Sequence, residues 1–303
     1  MKQQETKSIE ATRKAFRAKI ANEGIVLPGA YNALSAKQIQ QIGFEGVYIS
    51  GAALSASAGL PDIGLLTLSE FSFFTRYITQ AVDLPCIADA DTGFGEVVNV
   101  ARTVQEYEQI GLTGMHIEDQ IMPKRCGHLA GKTLVSTEEM CQKIRTACMS
   151  RKDENFFIIA RTDARSVEGM DQAIARAHAY IEAGADAIFP EAMQSEEEFK
   201  LFAKEVKAPL LANMTEFGVS PLLSTKKLFS MGYKLVIFPV TALRVSMKNT
   251  EALYQEIKQE GTQTSFLHQM QTRKELYELI DYDAYAALDK KVANYKNEHN
   301  ESK

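Results

Sequence analysis

The sequence has no tryptophan, few cysteines and no long apolar run: four of its 303 residues are cysteine. A membrane-spanning helix needs ~20 consecutive apolar residues, and no segment approaches that length. The polar start, MKQQETKSIEATRKAF, lacks the apolar core of a secretory leader. A formal charge of −5 gives no electrostatic basis for binding nucleic acid. These absences predict a soluble cytoplasmic protein with neither nucleic acid nor membrane as a partner.

The scarce cysteines form no CxxC pair and no zinc-type spacing with histidine. Four unpaired thiols fit a reducing compartment. Cys86, Cys141 and Cys148 lie in apolar strand or helix patterns, which predicts packing roles. Cys126 differs, because it lies in the polar stretch KRCGH, among cations. That neighbourhood predicts a reactive loop thiol with a lowered pKa.

A recurring unit organises the chain. The segments at 41–50, 110–119, 182–191 and 230–240 each read as a helix end, a glycine and an apolar strand. Apolar strands without alternation are typical of a parallel sheet buried on both faces. The predicted strands are 25–30, 45–50, 85–90, 113–118, 156–162, 186–190, 209–214 and 234–239. Eight strand–helix units predict an α/β fold, a closed (β/α)8 TIM-type barrel. We expect one barrel domain spanning 1–303, with helical extensions at 1–24 and 262–303.

Polar residues follow the predicted strands, at the end where such barrels place their active sites. Asp89 and Asp91 end strand 3 in DAD, and residues two apart on a strand face the same side. Two adjacent carboxylates need a cation or a proton between them, and oxygen ligands suit Mg²⁺. Glu118 is a plausible third carboxylate, and Asp62 lies in a nearby glycine-rich stretch. The alternatives are helix capping by Asp91 or an ion pair with Arg161.

The segment following strand 4, about 120–135, is long for a barrel loop and is predicted to be a lid. It carries Lys124, Arg125, Cys126 and His128. A cationic lid over a metal-bearing edge predicts a polyanionic substrate. Arginines that match carboxylates in bidentate fashion are the expected grips: Arg161, Arg244 and Arg273. His116 remains open between a site residue and a core residue.

Taken together, the motifs LPDIG, DADTGFG, HIEDQ, KRCGH, IARTDA, FPEA, NMTEFG and MQTRKELYELIDY resemble the isocitrate lyase/phosphoenolpyruvate mutase superfamily, in order and nearly end to end. The resemblance implies a (β/α)8 barrel that depends on Mg²⁺, with Mn²⁺ as a substitute. It also implies a homotetramer in which neighbouring subunits exchange the last barrel helix. The implied reaction is carbon–carbon cleavage of the tricarboxylate (2S,3R)-2-methylisocitrate to pyruvate and succinate, a step of the methylcitrate cycle in propionate catabolism.

The resemblance also implies roles for individual residues. Cys126 corresponds to the catalytic thiol, supported by Lys124, Arg125 and His128. Relatives often carry glycine at position 52, where this chain has alanine. The implied metal site comprises Asp62, Asp89, Asp91, His116 and Glu118. The implied substrate-binding residues are Ser50, Gly51, Ala52, Gly127, Arg161, Glu191, Asn213, Met214, Thr215, Arg244 and Arg273.

Other activities stay open from the sequence. A related lyase could act on isocitrate, dimethylmalate or oxaloacetate, although isocitrate lyases usually carry KKCGH and large insertions. Phosphonate enzymes of the superfamily lack the cysteine motif. From a different class, a non-catalytic dicarboxylate-binding protein is an alternative, against which the intact Cys126, Asp89 and Asp91 argue.

Overall fold

A computed structural model describes the backbone of residues 8–300 and the side chains of residues 8–293. Within it, one compact unit ends at Arg244 and a second begins at Val245. The sequence placed a C-terminal extension from residue 262. The division of the chain into domains stays a prediction.

The first unit contains eight parallel strands. They are β1 Ile25–Pro28, β2 Val47–Ile49, β3 Cys86–Asp89, β4 Gly114–Glu118, β5 Phe157–Thr162, β6 Ala187–Pro190, β7 Leu211–Asn213 and β8 Leu235–Phe238. Ladders join β2 through β6 into one sheet and β7, β8 and β1 into another. Single bridges, Gly29 with Tyr48 and Ile188 with Leu210, connect the two sheets at both edges. The strands therefore close into the predicted barrel in sequence order.

Helices precede, separate and follow the strands along the chain. They are α1 Ile9–Asn22, α2 Ala33–Ile42, α3 Gly51–Ser57, α4 Leu68–Thr79, α5 Val97–Gln109, α6 Thr137–Ser150, α7 Met170–Glu182, α8 Glu196–Glu205, α9 Thr225–Ser230, α10 Thr241–Glu260, α11 Arg273–Leu279 and α12 Tyr282–Asn300. Helix α6 starts after Ser136, whose hydroxyl accepts from the Glu139 amide in a capping box. Among residues 8–300, no helix has the length and apolarity needed to cross a membrane.

The strands bury both faces, because side chains alternate between the barrel interior and the helix layer. On β5, Phe157 and Ile159 belong to the inner cluster, whereas Ile158 and Ala160 pack under the helices. Phe16 and Ile20 of α1 join the inner cluster. The next inward position after Ile159 is Arg161, so the apolar interior gives way to charge at the C-terminal ends of the strands.

Candidate active site

A cavity of about 90 Å³ lies at the C-terminal ends of the strands. It gathers residues from β2, the loop after β4, β5, β6, β7 and the start of α10. Thirteen of its lining residues were predicted from the sequence: Ser50, Ala52, Asp62, Lys124, Arg125, Cys126, Gly127, His128, Arg161, Glu191, Asn213, Thr215 and Arg244. Separate sequence segments thus converge on one site.

The segment 120–135, which we call the Cys126 loop, is ordered by its own hydrogen bonds. Gln120 pairs with Leu134 in an isolated antiparallel bridge at its base. The Gln120 side chain then accepts from the Arg125 amide and donates to the Arg125 carbonyl, both at 2.9 Å. Gly127 lies so close to the barrel that a Cβ there would stand 2.3 Å from Cγ of Glu191. The loop therefore delivers Cys126 to the cavity.

The predicted lowering of the Cys126 pKa is wrong. Desolvation raises the pKa of this thiol, and the Glu191 carboxylate adds to the effect. The neighbouring cations do not reverse it, because Lys124 is paired with Asp62 and Asp91. Arg125 donates to the Ala130 carbonyl at 3.3 Å. Although Cys126 keeps an exposed surface, its thiol is protonated at neutral pH.

Asp89 and Asp91 lie together as predicted, but the strand alternation argument was wrong for Asp91. Strand β3 ends at Asp89, and Asp91 takes a left-handed backbone with φ 44°. The turn brings the Asp91 amide onto Oδ1 of Asp89 at 2.9 Å. Nζ of Lys124 lies 2.9 Å from Oδ1 of Asp91. Asp91 therefore neither caps a helix nor pairs with Arg161, the two alternatives considered from the sequence, but forms an ion pair with Lys124 of the loop.

The pKa values of Asp89 and Asp91 shift in opposite directions. Desolvation raises the pKa of Asp91 to about 6. Desolvation would also raise the pKa of Asp89, but the neighbouring His116, Lys124 and Arg161 outweigh it and the pKa falls below its usual value. Asp89 therefore provides a standing negative charge in this part of the barrel.

His116 is a buried residue of the barrel interior. Its ring stacks on Tyr48, and its Nε2 lies 2.7 Å from the Tyr48 hydroxyl. Desolvation lowers the pKa of His116 to about 4, so the ring is neutral. Its Nδ1 lies 3.7 Å from Oδ1 of Asp89 and has no hydrogen-bond partner.

Arg161 is surrounded by carboxylates. Its Nη1 lies 3.1 Å from Oε2 of Glu118, and its Nε donates to Oδ2 of Asp163 at 2.9 Å. Its Nε is also 3.5 Å from Oε2 of Glu191. Desolvation raises the pKa of Glu118 well above its ordinary value. Arg161 thus neutralises acids that are already in place, and less of it is free to grip a substrate than the sequence suggested.

Glu191 is an acid whose neighbours favour its ionised form. Desolvation alone would raise its pKa, but Arg161, His128 and Lys132 hold it at about 2. Nε2 of His128 lies 2.9 Å from Oε1 of Glu191. The Val219 amide donates to Nδ1 of the same ring at 3.2 Å, so the proton of neutral His128 is on Nε2.

The other predicted substrate-binding residues vary in position. Ser50 caps α3, accepting from the Ala53 amide at 3.3 Å, and the Gly51 amide donates to Oδ2 of Asp89 at 3.2 Å. The Arg244 side chain is 45% exposed and stacks over Phe217. Met214 instead belongs to the core under the helices, and Arg273 is exposed at the start of α11 in the second unit.

Sequence reasoning missed three buried polar residues of the site. Asp163 and Lys132 form an ion pair at 2.8 Å. Asp119 accepts hydrogen bonds from the Thr162 hydroxyl and the Asp163 amide. Asp119 and Asp163 stood at strand ends in the sequence and received no role. Lys132 gave no signal beyond lying in a polar loop.

Oδ1 of Asp91 and Oε2 of Glu118 are engaged in the ion pairs with Lys124 and Arg161, whereas Oε1 of Glu118 is buried without a hydrogen-bond partner. No group of three or more His, Cys, Asp or Glu side chains among residues 8–293 forms a ready-made metal cage. Protein carboxylates at this position would therefore supply only part of a coordination shell. Mg²⁺ normally completes its shell with water.

Comparisons with known proteins agree with this architecture. The family model for phosphoenolpyruvate phosphomutase matches residues 16–258. 2-Methylisocitrate lyase of Aeropyrum pernix is 52% identical over 283 residues, covering 92% of this chain and 91% of that protein. The crystal structure of 2,3-dimethylmalate lyase, a PEP mutase/isocitrate lyase superfamily member, superposes with TM-score 0.88 and 34% identity, covering 93% and 95% of the two chains. Phosphonopyruvate hydrolase in complex with oxalate and Mg²⁺ superposes with TM-score 0.84 and 32% identity, covering 92% and 98%. Matched over most of its length by the family model and by full-length relatives, this chain belongs to the phosphoenolpyruvate phosphomutase family.

Proposed function

We propose that this protein cleaves the C2–C3 bond of (2S,3R)-2-methylisocitrate to give pyruvate and succinate. The observation that carries the proposal is a protonated thiol, Cys126, lining one cavity with the cationic side chains of Arg161 and Arg244. The 52% identical relative with the name 2-methylisocitrate lyase supports the same activity.

A divalent cation fits the acidic cluster by the chemistry of its donors. Asp62, Asp89, Asp91 and Glu118 offer carboxylate oxygens, which suit Mg²⁺ or Mn²⁺. Oε1 of Glu118, which is buried and has no hydrogen-bond partner, would gain most from a cation. When bound, such an ion acts as a Lewis acid that lowers the pKa of a coordinated hydroxyl. His116, which is neutral and bonded to Tyr48, would support Asp89 from behind.

The remaining steps belong to the side chains of this protein. The 2-hydroxyl transfers its proton to a base in the site and becomes the ketone of pyruvate, while the C2–C3 electron pair moves into the carboxylate next to C3. Cys126 then donates its thiol proton to C3, which completes succinate. An equivalent proton later restores the Cys126 thiol, so the overall reaction neither takes up nor releases protons. Desolvation keeps this thiol protonated until the carbanion forms. Arg244 has exposed guanidinium nitrogens for a substrate carboxylate.

Apolar residues of the cavity are suited to the methyl group that distinguishes this substrate. Tyr48, Phe189, Ile237, Pro239 and Val240 line one side of it. The carboxylate-binding groups would bind isocitrate equally well. Discrimination between the two substrates must therefore come from these apolar residues. One methyl group is worth roughly 1–3 kcal/mol, or about 10–200-fold.

The test is kcat/KM for 2-methylisocitrate and isocitrate with the same enzyme and Mg²⁺. We expect 2-methylisocitrate to be preferred within that range, with pyruvate and succinate as products. A ratio near one would remove the substrate assignment. Faster cleavage of 2,3-dimethylmalate would favour the alternative that the 34% identical structural neighbour suggests.

We further propose that the protein is a homotetramer that works in the cytoplasm. A 20-residue helix, α10, has no buried side chain, and its exposed apolar residues include Tyr254 and Ile257. Apolar surface of this kind is typical of contacts between subunits. Exchange of a helix between subunits would provide that cover.

A further inference from the structure

We propose that Lys132 and Asp163 form a clasp that holds the Cys126 loop against the barrel, and that Lys132 thereby positions the Cys126 thiol. The two residues come from different elements. Lys132 lies on the loop, whereas Asp163 directly follows β5. Nζ of Lys132 lies 2.8 Å from Oδ1 of Asp163, and the two side chains are 1% and 0% exposed.

Asp163 is the fixed half of the clasp. Its backbone amide donates to Oδ1 of Asp119 at 2.9 Å. Oδ2 of Asp119 in turn accepts from the Thr162 and Tyr180 hydroxyls, both at 2.8 Å. Arg161 holds the second carboxylate oxygen of Asp163. With the backbone and the carboxylate of Asp163 both anchored on the barrel, the part that can leave is Lys132 with its loop.

The same ammonium also sets the backbone beside the thiol. Nζ of Lys132 donates to the Gly127 carbonyl, which belongs to the residue directly after Cys126. A further backbone bond, from the Leu129 amide to the Cys126 carbonyl at 2.9 Å, makes this part of the loop compact. One cation therefore contacts both the barrel and the cysteine segment, beside the contacts of Lys124 with Asp91 and of His128 with Glu191. If the clasp opens, the Cys126 segment loses one of the contacts that fix its position.

Breaking a buried ion pair at one partner leaves the other charge uncompensated, which favours local opening. The first test uses Lys132→Met, which retains the length and apolar stem of lysine. Lys143→Met is the matched control, since Lys143 is also buried and donates to a carbonyl, that of Thr92, outside the loop. The measurement is the rate of trypsin cleavage after the exposed Arg125 in the ligand-free protein, because cleavage tracks the population of the opened loop.

We expect cleavage at Arg125 to accelerate about tenfold in Lys132→Met and to stay within about twofold of the wild type in Lys143→Met. Equal cleavage in Lys132→Met and the wild type would overturn the clasp. If Lys132→Met does not fold, Asp163→Asn carries the same test, because asparagine preserves the shape of the side chain.

A double-mutant cycle then tests whether the two residues act together. Lys132→Met and Asp163→Asn combined should open the loop no further than the larger single change. Effects that multiply would show two independent residues and overturn the pairing.

Only the effect on turnover rests on the proposed function. There, Lys132→Met should lower kcat about tenfold with a much smaller change in KM, because Arg161 and Arg244 lie outside the loop and stay in place. A rise in KM alone would remove the positioning role. Failure of the wild type to cleave 2-methylisocitrate would instead refute the proposed function, and the cleavage rates at Arg125 would still decide the clasp.

Discussion

At the scale of single residues, the Cys126 thiol makes the sharpest prediction. Cys126→Ser should lower kcat by about 10²–10⁴, the range attributed to a positioned general acid, because a hydroxyl is a much weaker acid than a thiol. The melting temperature should stay within a few degrees, since Cys126 is exposed and contributes little packing. Cys148→Ser, on α6, is the control and should retain full turnover. Substantial activity in Cys126→Ser would contradict the acid role.

Glu191 predicts a pH dependence of stability. Its folded-state pKa of about 2 lies below the ordinary 4.5. Its stabilisation is therefore present above pH ~4.5 and is lost as the pH falls towards 2. Glu191→Gln should lower the free energy of unfolding by about 3 kcal/mol at pH 7, and this difference should shrink across that window. Chemical denaturation from pH 2 to 7 would measure it, with exposed Glu197→Gln as control. A difference independent of pH would show that Arg161 and His128 do not stabilise the ionised form.

At the scale of elements, the turn after β3 depends on a glycine. Gly93 has φ 92°, and a Cβ there would stand 2.5 Å from Cγ2 of Val100. Gly43 has φ 95° with no atom within 4 Å of its Cβ position. Gly43→Ala should therefore cost about 1–2 kcal/mol from the backbone alone. Gly93→Ala should lose a further 1–3 kcal/mol or so from overpacking.

The same pair of variants tests the link between this turn and the metal. Gly93→Ala should weaken Mn²⁺ binding, measured by calorimetry, because the turn aims the Asp91 carboxylate. Gly43→Ala should leave Mn²⁺ affinity unchanged. If the two variants bound Mn²⁺ with equal affinity, the turn at Gly93 would have no role in cation binding.

The elements were predictable because their signals are local. Eight apolar strands and their glycines recur along the chain, so each could be recognised without its neighbours. The position of Asp91 was not predictable in this way, since the strand ends two residues earlier and a left-handed residue redirects the side chain. The Cys126 pKa depends on burial and on Lys124 being paired with acids distant in sequence. Lys132 was missed because its partner, Asp163, is 31 residues away.

At the scale of the whole molecule, assembly can be measured directly. Four chains of 33.7 kDa should give a particle of about 135 kDa by light scattering after size exclusion. Apolar side chains exposed on α10, such as Tyr254, should become covered in that particle. Tyr254→Lys should therefore shift the population towards smaller species, whereas Lys258→Glu, at an already charged position of the same helix, is the control. A 33.7 kDa wild-type particle would refute the tetramer.

The barrel is closed by only two isolated bridges, so its strands are joined less tightly between the two sheets than within each sheet. Five strands form one sheet and three form the other, and one isolated bridge spans each junction between the two sheets. Glu191 follows the last strand of the five-stranded sheet, and Asn213 ends the first strand of the three-stranded sheet. Across this junction, Nδ2 of Asn213 donates to Oε1 of Glu191 at 3.3 Å. A substrate bound by groups of both sheets would link them where a single bridge joins the strands, so we expect binding to stiffen the barrel along that edge.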